Sequence, residues 1–90
     1  MVTGILTHDV ENFDSWYEGF NGDAANREAG GIRIKGVYRG LENPNRVTIV
    51  SESDSPENYS RMFNNPAFQE RIKSLGVQGK PELSMTTQVA

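Results

Sequence analysis

The sequence contains no cysteine, one histidine and one tryptophan. Without cysteine there can be no disulfide, and one histidine cannot build a structural zinc site from the usual ligands. A Ser–His–Asp triad has no support beyond that one imidazole and scattered serines. No glycine-rich phosphate loop joins a strand to a helix. Basic residues number nine against twelve acidic, a net charge of −3, so there is no electrostatic footprint for nucleic acid or an anionic membrane. No window approaches the ~20 apolar residues of a membrane span. The N-terminal "MVTGILTHDV" lacks the basic start and apolar run of a signal peptide. These absences lead us to expect a cytoplasmic protein with no metal, no cofactor, no nucleic-acid partner and no membrane partner.

What remains is one domain over residues 1–90. A chain of this size buries only about 60% of its unfolded surface. With no disulfide or metal to brace it, self-association is the remaining common remedy.

Hydrophobic periodicity gives the element order. "VTGILTHDV" alternates as a strand, with Val2, Leu6, His8 and Val10 on one parity and Thr3, Ile5, Thr7 and Asp9 on the other. Phe13, Trp16, Tyr17, Phe20 and Ala24 then recur at helical spacing. Asn12 can cap that helix, while Ser15 with Glu18 spells a capping box, so the start is open by a few residues. The helix is expected to run to Gly30–Gly31, weakened by Gly19 and Gly22. "IRIKGVYRG" and "RVTIVSES" form a hairpin across "LENPN". Ser55 and Pro56 open a second helix, Pro66 predicts a break with a restart capped by Asn65, and Gly76 ends it. "KPELSMTTQVA" reads as a last strand with Leu83, Met85, Thr87 and Val89 on one side.

The resulting βαββαβ order, with right-handed crossovers, predicts a ferredoxin-like α+β plait. Its four-stranded antiparallel sheet carries both helices on one face. The other face, with Ile5, Val37 or Val50 among polar residues, invites a partner sheet. A homodimer through the sheet faces follows as an expectation. RNA-recognition domains share this plait but need paired aromatics on the central strands, and "RVTIVSES" has none.

The candidate site residues come from the same pattern. His8 shares the more apolar strand parity, and Trp16 lies on the helix stripe that covers it. The two can line one pocket for a small apolar or aromatic ligand, His8 as a proton-transferring catalytic group and Trp16 as a flat wall. Otherwise His8 closes a strand and Trp16 is plain core. Arg27 lies two turns beyond Phe20 and can hold a carboxylate or enolate at the pocket mouth, or snorkel beside Asp23. Arg33, Lys35, Val37 and Arg39 share one parity of the hairpin, so Tyr38 falls on the other, as a core aromatic or else as an acid or substrate-binding group. Glu52 on the paired strand is expected to meet an arginine across the hairpin or across a dimer, or to serve as a carboxylate catalyst.

These residues also carry a family resemblance. The succession His8-x-Val10, Phe13-Asp14-x-Trp16, Phe20, "REAGG", "VYR", "NPN", Glu52, "NNPAF" and "GVQGKPE" resembles small proteins of the dimeric α/β-barrel superfamily. That superfamily includes antibiotic-biosynthesis-monooxygenase-like and polyketide-cyclase-like proteins. The resemblance covers nearly the whole chain. It implies two subunits pairing their sheets into a barrel, a pocket between sheet and helices, and oxidation of electron-rich aromatics without a cofactor. Haem-degrading members use an Asn, a Trp and a His. Here Trp16 is on the first helix and His8 on the first strand, a different arrangement, so no haem role is carried over. The rival expectation is a non-catalytic small-molecule binder or stress-associated dimer.

Overall fold

A computed structural model describes residues 1–90. Its elements are β1 (Val2–Val10), α1 (Phe13–Gly22), α2 (Ala24–Ala29), β2 (Arg33–Arg39), β3 (Arg46–Ser53), α3 (Pro56–Phe63), α4 (Pro66–Ser74) and β4 (Val77–Thr86). The sheet is antiparallel with strand order β2-β3-β1-β4, the ferredoxin-like α+β arrangement expected from the sequence. No helix is long and apolar enough to cross a membrane.

Helix ends follow local chemistry. The Asn12 side chain accepts from the Ser15 N–H, Ser55 from Glu57 and Asn65 from Ala67, each taking up a backbone donor that the first helical turn leaves free. The break before Pro66 is where the sequence places it.

A second break is not predicted by the sequence. The first helical arm divides at Asp23 instead of running unbroken to Ala29. The Phe20 carbonyl there accepts a tight-turn bond from the Asp23 N–H at 3.2 Å and a second from Arg27 Nη1 at 2.6 Å. A side chain inserted into the helical ladder is a recognised cause of such a division. The Arg27 guanidinium also stacks on the Phe20 ring, 3.8 Å from its centroid.

The core lies between sheet and helices. Val10, Trp16, Phe20, Val47 and Ile49 form its buried centre, flanked by Leu6, Ile34, Val37, Leu75 and Val77. On β1 the parity holds: Gly4, His8 and Val10 are buried and Ile5 is exposed. On β2 it does not. A bulge lies between Ile34, which pairs with Ser51, and Gly36, which pairs with Val50. One extra residue, Lys35, turns everything after it to the opposite face. Val37 therefore pairs with Ile49 and packs on the core, not on the bare face. Tyr38 pairs with Thr48 and points outward, 59% exposed. Arg39 ends over the Phe13 ring at 4.0 Å and donates to the Pro44 carbonyl. Arg33 stands opposite Glu52 in the ladder, but the ion pair of Glu52 is with Lys35, at 3.6 Å, in place of the expected arginine. Arg33 pairs with Asp54.

The last strand also differs. It begins at Val77, and residues 87–90 lie outside it. Thr7 pairs with Glu82 and Asp9 with Gln78, so His8 alone faces a three-residue excursion, Gly79–Lys80–Pro81. Gly79 adopts φ 69°, a left-handed conformation, and proline is tolerated there because the ladder is interrupted.

A Cβ on Gly4 would stand 2.7 Å from the buried Tyr59 ring. The Tyr59 hydroxyl is 2.9 Å from Ser51 Oγ, which donates to the Gly4 carbonyl at 3.3 Å. Gly4→Ala should force this ring off its hydrogen bond and cost about 1–3 kcal/mol, as overpacking does. Urea unfolding will read it, and an unchanged midpoint would show that the ring moves freely.

Candidate functional site

A cavity of about 520 Å³ lies between the helical arms and the sheet, and 15 of its 26 lining residues are hydrophobic. The sequence candidates His8, Trp16 and Arg27 all line it. Tyr38 does not, because the β2 bulge turns it to the bare face.

His8 is placed by strand parity and by packing. Its ring meets Trp16 edge-on, with centroids 5.3 Å apart and planes at 65°. Trp16 stacks in turn on Phe20 at 4.8 Å. His8 is only 6% exposed, and its Nδ1 is buried with no hydrogen-bond partner in the protein. Burial lowers the His8 pKa below its ordinary 6.5, against a smaller upward pull from the Asp9 backbone and carboxylate. The ring is thus neutral at physiological pH, the form that accepts a proton. The β4 excursion opens the ladder beside this one residue, a setting in which bulges re-aim side chains near sites.

Arg27 reaches the cavity from α2. Burial lowers its pKa from the ordinary arginine value, opposed by Asp23 and Glu28. Asp23, expected as its partner, instead accepts from Arg71 Nε at 2.9 Å and ties α4 to the α1–α2 junction.

The sequence reading missed the polar pair Tyr59–Ser51, which also lines the cavity, and Arg61 at its edge. The signal was present but faint. Ser51 and Ser53 occupy the buried parity of β3, where each needs a partner. Ser51 finds Tyr59, and Ser53 accepts from Asn58 Nδ2 at 2.8 Å. No group of three or more His, Cys, Asp or Glu gathers at a metal-binding spacing.

Neither a family model nor a curated protein matches the chain by sequence. Solved structures do match by shape. A candidate antibiotic biosynthesis monooxygenase from Bordetella bronchiseptica superposes with a TM-score of 0.76 at 21% identity, over 99% of this chain and 97% of that one. A candidate antibiotic biosynthesis monooxygenase from Caulobacter crescentus gives 0.74 at 14% identity, over 99% and 90%. An uncharacterized NIPSNAP domain protein from Burkholderia xenovorans gives 0.67 at 14% identity, over 100% and 96%. At these identities the likeness is one of architecture, and the resemblance first drawn from the residues holds at that level: the chain has the ferredoxin-like fold of the antibiotic-biosynthesis-monooxygenase structures.

Proposed function

We propose that the protein is a homodimer that binds a small, mostly apolar organic molecule between its helices and sheet. His8 accepts a proton from that molecule, in the manner of a cofactor-independent monooxygenase- or cyclase-type enzyme. The observation that carries this reading is the cavity itself. Its volume of about 520 Å³ falls within the ~300–1,000 Å³ of ligand sites, and its apolar wall converges on one neutral imidazole. The names of two similar structures agree with it. The cytoplasm is the proposed compartment, in keeping with a chain that has no cysteine.

The dimer rests on the thinness of the single chain. Only 11 of 90 residues are buried, and Ile5 and Val50 pair on the face that the helices leave open. Light scattering at micromolar concentration should give about twice the 10.0 kDa chain mass. A monomer whose unfolding midpoint ignores protein concentration would remove the dimer.

One feature favours a non-catalytic binder. His8 Nδ1 has no well-formed hydrogen bond to orient the ring, as a general base usually does, only the pull of the neighbouring Asp9 backbone and carboxylate. Both readings require a ligand. A thermal-shift screen of apolar and aromatic compounds tests that first. A true ligand at a hundredfold excess over its Kd should stabilise the fold by about 2.7 kcal/mol. A panel that leaves the melting temperature unmoved would count against the pocket.

A further inference from the structure

The charges on the cavity wall have a pattern that its apolar character conceals. Three arginines and one aspartate line it, a net charge of +2 on a protein whose overall charge is −3. Asp23 and Arg71 neutralise each other at 2.9 Å. The remaining two, Arg27 and Arg61, have no carboxylate within ion-pair distance, while Arg33, Lys35 and Arg46 find theirs elsewhere on the surface. Arg61 donates only to the Asn58 side-chain oxygen. Arg27 spends one donor on the Phe20 carbonyl, and its Nε is buried without an acceptor. Its guanidinium lies over the Phe20 ring, 3.8 Å from the centroid, and the Nη1 bond to the Phe20 carbonyl helps to position it. Arg27 is half-buried and Asp23 and Glu28 act on it only from a distance, so a carboxylate in direct contact would still gain a charge-assisted pair.

We propose that the cavity's ligand is an amphipathic monoanion: an apolar, ring-bearing body with one carboxylate or enolate head paired with Arg27, Arg61 adding to the local positive charge. This rests on the reading of the cavity as a small-molecule site. The body lies against Trp16, Phe20, Phe63 and Phe68, and the head takes donors of Arg27 that the protein leaves unused. The planar guanidinium suits a carboxylate, which it can meet with two parallel bonds. A neutral ligand of the same shape would leave those donors without a charged partner.

Two near-isosteric probes separate the claims. Isothermal titration of the unaltered protein with 1-naphthylacetate and 1-naphthylacetamide at neutral pH compares a charged with a neutral head. The acid should bind about tenfold or more tightly, as expected of one charge-assisted pair, and its advantage should shrink at high salt. Arg27→Met keeps an apolar stem against Phe20 and should bring the two affinities together, and circular dichroism will confirm that it is folded. Should that variant fail to fold, the acid–amide ratio in the unaltered protein and in Arg61→Met decides the matter. Equal binding of acid and amide would overturn the anionic head and leave the pocket standing. Binding of neither would remove the pocket and this inference with it. A preference for the acid that survives both substitutions would place the head elsewhere and overturn the assignment to these arginines.

Discussion

Trp16→Ala is expected to remove about 3–5 kcal/mol of stability, the usual cost of truncating a buried large aromatic. Trp16 is 2% exposed and neighbours four other rings, Phe20 at 4.8 Å, His8 at 5.3 Å, Phe13 at 5.8 Å and Tyr17 at 6.3 Å. The buried centre of the core has only five members, so few neighbours can move in to fill the space. Against a typical total of ~5–15 kcal/mol, the loss leaves a protein close to its folding threshold. Urea unfolding followed by circular dichroism measures it, and the folded wild type should show blue-shifted tryptophan emission. A loss below about 1 kcal/mol, or solvent-like emission, would place Trp16 outside the core and dissolve the pocket wall as well.

His8→Gln bears on chemistry more than on folding. If His8 is a general base, turnover of an identified substrate should fall by about 10²–10⁴-fold while the dimer and ligand binding persist. Only the neutral ring accepts a proton. With its pKa lowered by burial, the acid limb of the wild-type rate profile should lie below pH 6.5. Stability carries the same signature. The unfolded chain takes up the histidine proton at a higher pH than the folded one, so it binds more protons as the pH falls through 6.5. The His8 contribution is therefore whole above that pH and is lost on acidification through the lowered folded value. His8→Gln should flatten this part of the stability curve. Full activity in the variant would end the catalytic role, and an unchanged acid slope would mean that His8 titrates as it does in water.

The parts of the fold that were legible in the sequence depend on one strong local choice. Asn12, Ser55 and Asn65 cap helices because each places a short polar side chain where the backbone has spare donors. The even positions of β1 run unbroken from Val2 to Val10, so the placement of His8 toward the helices followed from counting. Counting failed on β2, because a bulge depends on the partner strand and its one mark in "RIKGVYR", Gly36, does not say which residue is extra. That failure sent Tyr38 to the wrong face. The division at Asp23 was hidden for a related reason: it arises from Arg27 reaching back two turns to a carbonyl, a contact no local propensity encodes. The Tyr59–Ser51 pair depends on the absent side chain of Gly4, and sequence patterning gives a missing group no weight.

The bulge in β2 acts on faces as a frameshift acts on codons. Upstream, Arg33 is read by the open side of the sheet; downstream, Val37 is read by the core. Losing Lys35 would bring Ile34 and Gly36 into consecutive register and leave every other residue in its frame, at the expense of one surface ion pair. Losing a residue between Val37 and Arg39 has no such remedy, because the partners of Ile49 and Thr48 would trade sides. Length variation in this strand is therefore tolerated at one place, and sequences related to this one should gain or lose their residue there.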